Sequence, residues 1–598
     1  MLSQKSAVLV LVAAVALFAP GQARAPTAQR AVGEDADDSE PPMVTETDPK
    51  YKIPDNFLIG AGSAAYQSEG AWNKDGKGES VFDRYYHSGS FATNMTGDIA
   101  CNSYERFEED MKLAAEMGLN SFRFSIAWTR IFPDGDINNK NEKGVQYYHN
   151  LIKAIKAHNM KPVVGHRERA PDRRPDLPIH AYTLFEIISE SMPFCQVTIY
   201  HFDHPQALQD KFGGWLSDQM IQSFTDFADF LFSEYGKEVE YWLTLNEPNM
   251  HCIMVYNGAL APDLPKAQKT SQNVYKCIHN EILAHAAAYR LYERKYRKDQ
   301  GGRVGIGALT FFARPNSTKW DDILAAERAN YFEMGLIINP IVFGEYPDVV
   351  RETLARAGKL DHLPTFTDAQ KREIKGASDF FGINSYFGMT VADPNKGGHS
   401  TSPVISGGVG PRNENNVTII AIGDSNDPQP DTSTDVFGKF NPWVLRDMGL
   451  WMKARYGPVA VLITENGMAI SNEDSLDDWD SRAVYHSAYL RGMMQAVNED
   501  GANYIGYSQW SFLDDFEWSA GYTRNFGLVH VDYKHGTLDR TPKRSSHFFK
   551  RMMKDRSVPL VLPSRSADTS AAGPGAALPS ALTVLLAAAL SLLSHDSS

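Results

Sequence analysis

Two glutamates, Glu247 and Glu465, lie in local settings that suit acid–base and nucleophilic chemistry. Glu247 closes the run Thr-Leu-Asn-Glu and is followed by proline, while Glu465 lies in Ile-Thr-Glu-Asn-Gly, far along the chain. Each follows an apolar run typical of a buried strand. Cleavage of a glycosidic bond needs two carboxyl groups, one to protonate the leaving oxygen and one to act as base or nucleophile. A single glutamate at such a position is more often structural, but the pair is a candidate for this chemistry.

The elements that would position these glutamates are strands that alternate with helices. A helical spacing of Tyr104, Phe107, Met111 and Ala114, closed by Gly118, separates the first two strand-like runs. This alternation predicts the α/β class, as a (β/α)8 TIM barrel that forms a single catalytic domain over 51–555 with enlarged βα loops. The alternative, a doubly wound open sheet, requires a glycine-rich phosphate turn after its first strand, and the sequence has none. The eight predicted strand runs are Phe57–Ala65, Ser121–Trp128, Val197–Phe202, Tyr241–Glu247, Arg303–Ala313, Asp379–Gly388, Val459–Gly467 and Ile505–Asp514.

The carboxyl ends of the strands, where the chemistry of a barrel is found, are rich in acids, amides and tryptophan. Acids and amides pair with sugar hydroxyls, and a tryptophan face stacks on the apolar side of a pyranose ring, so these residue types favour a carbohydrate site. The side chains at these ends are Gln67, Glu69, Arg123, Trp128, His201, Asp203, Asn246, Glu247, Asn384, Tyr386, Glu465, Asn466, Trp510, Asp514, Asp515, Glu517 and Trp518.

Six stretches in order resemble the signatures of glycoside hydrolase family 1, over about Lys52 to Met553. The resemblance implies a (β/α)8 barrel and a retaining β-glycosidase, similar to the secreted β-glucosidases of animals. The stretches are Ala-Tyr-Gln-Ser-Glu-Gly-Ala (65–71), Phe-Arg-Phe-Ser-Ile-Ala-Trp-Thr-Arg-Ile-Phe-Pro (122–133), Tyr-His-Phe-Asp-His-Pro (200–205), Thr-Leu-Asn-Glu-Pro (244–248), Ile-Thr-Glu-Asn-Gly (463–467) and Trp-Ser-Phe-Leu-Asp-Asp-Phe-Glu-Trp (510–518), the last followed by Gly-Tyr (521–522) and Phe-Gly-Leu (526–528).

The same resemblance implies a role for each residue that matches a family signature. Glu247 would be the acid/base and Glu465 the nucleophile that forms a glycosyl-enzyme, with carboxyls about 5–5.5 Å apart. The charge of Glu465 should raise the pKa of Glu247 and keep it protonated. Arg123 and Tyr386 match residues that hold the nucleophile ionised and oriented. The implied glycone ligands are Gln67, His201, Asn246, Glu517 and Trp518, with Trp510 as stacking platform.

Comparison with subgroups of this family narrows the expected substrate, a small-molecule β-glycoside or oligosaccharide. Plant thioglucosidases carry Gln in place of the acid, so the presence of Glu247 favours O-glycosides. Phospho-glycosidases bind phosphate where Glu517 stands, so an unphosphorylated sugar is expected. Glucose, galactose and fucose remain open as glycones. Two other functions stay as alternatives, a catalytically idle glycoside-binding surface protein and a transglycosidase that passes the sugar to an alcohol.

Composition excludes several other classes of function. The chain has 598 residues, 43% of them hydrophobic and 22% charged, as expected of a globular protein. Its net charge of −14 would repel phosphate backbones, so no nucleic-acid partner is expected. Its 4 cysteines form no Cys-x-x-Cys motif, so neither a metal nor any cofactor is predicted. Cys252 and Cys277 are left as an open pairing, and the oligomeric state is not indicated.

The two ends of the chain predict export. Residues 1–25 have Lys5, a short apolar run and the small-residue site Ala23-Arg24-Ala25 of a secretory signal peptide, and an acidic linker follows over 26–50. Sequons for N-glycosylation occur at Asn94, Asn316 and Asn416. Residues 556–577 form a small-residue spacer and 578–598 a hydrophobic tail, in the order of a GPI-anchor signal. The expected location is therefore extracellular, with the protein either secreted or held at the cell surface by a lipid anchor. The alternatives for 578–598 are a single-pass membrane anchor and a disordered tail.

One segment, 164–196, interrupts the family pattern. It separates Lys161-Pro162-Val163-Val164 from Thr198-Ile199-Tyr200-His201, which the family joins directly. Valine codons begin with GT and one glutamine codon is CAG, so the coding sequence of 164–196 could begin and end with the splice consensus of an intron. A retained intron or gene-model artefact is therefore the favoured hypothesis. The alternative is a real loop at the bottom of the barrel, in which Phe194-Cys195-Gln196 takes over the start of the third strand.

Overall fold

The computed structural model describes residues 43–89, 94–158, 194–258, 264–394, 410–422, 438–470 and 476–563. The described residues up to Val561 belong to one compact unit, and only Leu562 and Pro563 are described of a second unit. The predicted signal peptide, most of the linker, residues 164–193 of the interrupting segment and the C-terminal tail lie outside the described residues. Within the described ranges, every helix is too short or too polar to span a bilayer.

Eight parallel strands close into a barrel, which confirms the predicted fold. Each strand pairs with its neighbours in chain order, and the eighth closes on the first. Each of the eight predicted runs overlaps one barrel strand. The strands are β1 Leu58–Gly62, β2 Ser121–Ser125, β3 Phe194–Tyr200, β4 Tyr241–Leu245, β5 Arg303–Leu309, β6 Phe380–Asn384, β7 Val461–Asn466 and β8 Tyr504–Trp510.

The barrel strands are buried on both faces, which explains why they read as nearly continuous apolar runs. All residues of β1, β2, β6 and β7 are buried. Four side chains from four strands, Leu58, Leu243, Phe380 and Leu462, form an apolar cluster of their own inside the barrel. Gly60 lets β1 and β2 approach closely, because a Cβ there would lie 2.5 Å from the carbonyl oxygen of Ser121.

Amphipathic helices cover the outside of the barrel. The predicted helix closed by Gly118 is Ser103–Glu116, and it buries Met111 and Ala114 towards the core. The α-helices are Ala65–Ser68, Val81–His87, Ser103–Glu116, Trp128–Ile131, Glu142–Ala157, Gln206–Phe212, Gln219–Tyr235, Pro248–Tyr256, Ser271–Lys295, Arg297–Gln300, Trp320–Asn330, Leu336–Phe343, Asp348–Arg356, Asp368–Ile374, Pro411–Glu414, Val444–Tyr456, Val484–Asn498 and Ser546–Asp555, with π-helical turns at Tyr331–Gly335 and Trp479–Ala483.

The loops after β5, β6 and β8 carry small sheets of their own, as enlarged βα loops do. One sheet joins Ala313–Pro315, Met389–Ala392 and Thr418–Ile422, and a two-stranded sheet joins Val529–Val531 and Arg540–Pro542. These additions account for part of the length beyond the roughly 250 residues of a simple barrel.

Strand β3 begins earlier than predicted, at Phe194 and not at Val197. Residues 194–196 pair in parallel register with residues 121–123 of β2, so the end of segment 164–196 is part of the barrel. The start of β3 agrees with the alternative in which these three residues take over the strand. The intron hypothesis for the rest of the segment stays a prediction, since 164–193 lie outside the described residues.

A disulfide joins Cys252 to Cys277, the pairing that the sequence left open. It links the helix Pro248–Tyr256, which follows β4, to the long helix Ser271–Lys295, with a Cα–Cα distance of 5.7 Å. Cys101 and Cys195 are free and buried.

Candidate active site

The two candidate catalytic glutamates lie at the carboxyl ends of β4 and β7, and both are buried. Glu247 has a left-handed backbone, φ 42°, and the helix Pro248–Tyr256 starts directly after it. A positive φ at a non-glycine residue is costly, so the surrounding structure must hold Glu247 in this conformation. Gly307 of β5 makes room for this turn, because a Cβ there would lie 2.9 Å from the Leu245 carbonyl oxygen and 3.2 Å from the Glu247 nitrogen.

Two donors fix the carboxylate of Glu465. Arg123 Nη1 donates to Oε1 at 2.6 Å, and the Tyr386 hydroxyl donates to Oε2 at 2.5 Å. Arg123 is itself held rigidly, since Nε donates to Thr198 Oγ1 at 3.0 Å and Nη2 to Asn246 Oδ1 at 2.8 Å. A buried carboxylate that accepts hydrogen bonds from a guanidinium and a phenol is held in one orientation.

The surroundings of Glu247 favour its neutral form. Burial, and after it the charge of Glu465, raise the pKa of Glu247 to about 8. Asn384 Nδ2 donates to Glu247 Oε1 at 2.6 Å, which opposes part of this rise. At neutral pH the site therefore holds a protonated Glu247 next to Glu465, the arrangement needed for a proton donor paired with a nucleophile.

Asn384 is a site residue whose role could not be predicted from the sequence. Its amide donates to Glu247 Oε1 at 2.6 Å and to Asn246 Oδ1 at 3.0 Å, and its own oxygen accepts from the Thr464 hydroxyl at 2.6 Å. The available signal was its position, as the last residue of β6 and two residues before Tyr386. Thr464 gave no such signal, because threonine inside a strand is common.

The predicted glycone residues lie together around the mouth of the barrel. The His201 ring lies nearly parallel to the rings of Trp510 and Trp518, at 5.9 Å and 6.0 Å between centroids. Gln67 Nε2 donates to Glu517 Oε2 at 3.2 Å. Asn246 connects this group to the catalytic pair, since its Nδ2 lies 3.4 Å from His201 Nε2 while Arg123 donates to its oxygen.

Two buried atoms of the glycone group, Gln67 Oε1 and His201 Nδ1, have no hydrogen-bond partner among the described residues. Burial, with the charge of Arg123, lowers the pKa of His201 well below its ordinary value, so the imidazole is neutral with one donor and one acceptor nitrogen. Burial also raises the pKa of Glu517 to about 7. Unpaired buried polar atoms are costly, so these positions suit polar ligand groups such as sugar hydroxyls.

The candidate glycosylation residues lie apart from this buried group. Asn94, Asn316 and Asn416 are all exposed. Exposure is what attachment of a glycan requires.

Comparison with known proteins gives matches over most of the chain. The family model described as glycosyl hydrolase family 1 matches residues 50–166 and 181–558. The gap in this match, 167–180, falls inside the interrupting segment 164–196.

Curated relatives include hydrolases and a transferase. The chain is 35% identical to the lactase/phlorizin hydrolase of Rattus norvegicus over 85% of its own length but only 24% of that protein's length. It is also 35% identical to the cyanidin 3-O-glucoside 7-O-glucosyltransferase (acyl-glucose) of Delphinium grandiflorum, over 85% of this chain and 91% of that one. Among solved structures, a mutant rice β-glucosidase in a covalent complex with glucose is 35% identical, with a TM-score of 0.71 over 83% of this chain and 98% of that one.

Proposed function

The chain belongs to glycosyl hydrolase family 1 and is a glycoside hydrolase of the β-glucosidase type, and from this premise we propose that it hydrolyses O-linked β-glucosides through a covalent glycosyl-enzyme. The observation that carries the proposal is the contrast between two buried carboxyls. Glu465 receives hydrogen bonds from Arg123 and Tyr386, whereas the pKa of Glu247 is raised to about 8. This contrast supports Glu465 as the nucleophile and Glu247 as the proton donor.

In the first step, Glu465 attacks the anomeric carbon while Glu247 gives its proton to the leaving oxygen. Esterification removes the charge of Glu465, and with it one of the two causes that raise the pKa of Glu247. The same carboxyl then accepts a proton from water, which attacks the glycosyl-enzyme from the face that the aglycone left. The solved covalent complex of the rice relative with glucose supports this route by similarity.

Glucose is the proposed glycone, with galactose and fucose as alternatives. Gln67, His201, Asn246 and Glu517 offer both donors and acceptors to sugar hydroxyls. The indole rings of Trp510 and Trp518, which lie beside His201, would cover the apolar side of the sugar ring. The similarity to rice β-glucosidase favours glucose.

Transglycosylation is the second candidate, and the similarity to a Delphinium glucosyltransferase favours it. The first step is unchanged, but an alcohol replaces water as acceptor for the sugar on Glu465. An idle binding protein is less well supported, because both carboxyls are present with the partners that catalysis needs.

The test is release of p-nitrophenol from its β-glucoside by the chain, with Glu465→Ala as control. A β-anomer as the first product, seen by proton NMR, supports retention, and an α-anomer contradicts it. An added primary alcohol separates the two functions, since a transglycosidase gives alkyl glucoside in excess over glucose. Galactoside, fucoside and thioglucoside substrates in the same assay test the glycone and the linkage. A soluble, folded chain that turns over none of them would support the binding role.

We further propose that the protein is exported and glycosylated, with lipid anchoring through the tail 578–598. Exposure of Asn94, Asn316 and Asn416 supports modification, and the Cys252–Cys277 disulfide is of the kind formed in oxidising compartments. Enzymatic removal of N-glycans should increase the mobility of the cell-derived protein on a gel, and a GPI-specific phospholipase should release it from cells. Protein that remains in the cytosol without glycans would contradict this proposal.

A further inference from the structure

A compact group of potential metal ligands lies behind the acid/base residue, outside the carbohydrate site. His251 and Cys252 come from the helix Pro248–Tyr256, and Cys277 and Glu281 come from the helix Ser271–Lys295. One ligand atom from each side chain can be chosen so that all four lie within 4.8 Å of one another, and all four residues are buried. We propose that these four residues form a zinc site that opens when the Cys252–Cys277 disulfide is reduced.

The ligand set has the chemistry that zinc prefers. Structural zinc sites take four thiolate, imidazole or carboxylate ligands in tetrahedral geometry, with bond lengths of about 2.0–2.3 Å, so ligand atoms lie roughly 3.3–3.8 Å apart. Glu281 Oε1 lies 2.6 Å from His251 Nδ1 and 3.8 Å from the Cys277 sulfur. The distance between Cys277 and Glu281 already has this spacing, whereas His251 and Glu281 must move slightly apart and the two sulfurs must separate once the bond between them is broken.

Two observations favour metal binding over a purely structural role. The second imidazole nitrogen, His251 Nε2, lies 3.3 Å from the Tyr200 hydroxyl, which leaves Nδ1 facing the group. Histidine ligands of metals usually hold their other ring nitrogen in this way. Glu281 is fully buried, yet its Oε2 has no hydrogen-bond partner within the part of the chain that the structure describes. A buried carboxyl oxygen without a partner is costly unless it has a ligand to bind.

The sequence did not indicate the site, because the two cysteines are 25 residues apart and only the packing of the two helices joins them.

The disulfide and the zinc site exclude each other, because both need the sulfurs of the two cysteines. A dithiol or phosphine reductant supplies two electrons, the S–S bond breaks, and two thiols form with two protons. Zinc then displaces both thiol protons and the proton shared by His251 and Glu281 to solvent, and binds two thiolates, one imidazole and one carboxylate. Either cross-link ties together the same two helices, one of which begins next to Glu247.

The experiment measures zinc bound by the full chain before and after reduction with a phosphine, which does not compete strongly for zinc. Dialysis against Zn²⁺ followed by elemental analysis should give one zinc per reduced chain and almost none for the oxidised chain. Cobalt in place of zinc should give the visible bands of a tetrahedral site and a sulfur-to-cobalt charge-transfer band.

Variants assign the ligands. Glu281→Gln keeps the size of the side chain and removes the charged ligand, so zinc affinity of the reduced chain should fall about tenfold or more. Cys252→Ser with Cys277→Ser should abolish binding. The matched control, Cys101→Ser with Cys195→Ser, removes the two free thiols and should leave stoichiometry unchanged.

Three outcomes would overturn the proposal. They are a reduced, folded chain without zinc, an oxidised chain that binds as much zinc as the reduced one, and a Glu281→Gln chain with unchanged affinity. Zinc is added before the reductant, so a chain that unfolds on reduction without retaining the metal counts against the site as well.

Discussion

Asn384 donates a hydrogen bond of 2.6 Å to Oε1 of Glu247, the proposed acid/base. Its other amide hydrogen goes to Asn246, and Thr464 fixes the orientation of the amide by donating to its oxygen. Asn246 in turn accepts from Arg123, which holds Glu465. A single chain of hydrogen bonds therefore sets the position of the proton donor relative to the nucleophile.

Replacement of Asn384 by alanine should lower kcat by about tenfold or more, because a misplaced acid is inefficient and one hydrogen bond at the site is lost. The Asn384 bond lowers the pKa of Glu247, so its loss should also move the alkaline limb of the pH profile upwards. Steady-state kinetics across pH checks both effects.

The matched control for Asn384 is Asn503→Ala, which removes an exposed amide that donates to the Pro458 carbonyl. It should leave kcat and the alkaline limb unchanged. Wild-type kinetics in Asn384→Ala would mean that Glu247 is positioned without this bond.

Glu465→Ala should lower the hydrolysis of aryl β-glucosides by at least about 10⁴-fold, as expected when a covalent nucleophile is removed. The space left by the carboxylate should admit azide, which then attacks the anomeric carbon from the same face and gives the α-glycosyl azide. Product analysis by NMR checks the configuration. A β-azide, or residual hydrolysis within tenfold of wild type, would contradict the role of Glu465.

The alkaline limb of kcat/KM should be centred near pH 8, because Glu247 must be protonated to donate and its pKa is raised to about 8. Activity is thus present below this pH and is lost as pH rises through it. A limb centred near the ordinary glutamate value would contradict the assignment.

Glu465→Gln separates the two causes of the shift in Glu247. It removes the charge and keeps the size, so the pKa of Glu247 should fall, although burial should still hold it above the ordinary value. NMR titration of carbon-13-labelled glutamate measures this directly. An unchanged pKa would show that the charge of Glu465 has no influence on the acid.

The barrel could be predicted from the sequence because its strands are buried on both faces and appear as eight apolar runs. The runs were predicted too long at their carboxyl ends. For example, Tyr241–Glu247 contains β4 Tyr241–Leu245, because Asn246 and Glu247 leave the ladder to form the site. The run predicted for β3 also begins too late, at Val197, because Phe194 to Gln196 belong to a segment that departs from the family pattern.

The site was predicted as a set of residues, but the hydrogen bonds between them could not be. Gln67 and Glu517 are far apart in the chain and meet only because β1 and β8 are neighbours in the closed barrel. Asn384 could be predicted only as a polar residue at a strand end, and its role follows from the side chains that β4 and β7 bring beside β6. Likewise, the disulfide partners of the outer helices depend on helix packing that periodicity does not encode.

Tyr386→Phe should lower kcat by about 10–100-fold with little change in KM. The lost bond, 2.5 Å from the hydroxyl to Glu465 Oε2, has a charged acceptor, and such bonds contribute about 1.5–3 kcal/mol. Arg123 still holds Oε1, so the carboxylate stays in the site but is free to rotate. The matched control is Tyr489→Phe, whose hydroxyl donates to the Tyr386 backbone carbonyl at 3.2 Å. Both variants lose a buried tyrosine hydroxyl and should lower the thermal midpoint, but only Tyr386→Phe should lower kcat strongly. Equal losses of kcat in both would mean that the two hydroxyls support the fold and that the Tyr386 hydroxyl has no special part in orienting the nucleophile.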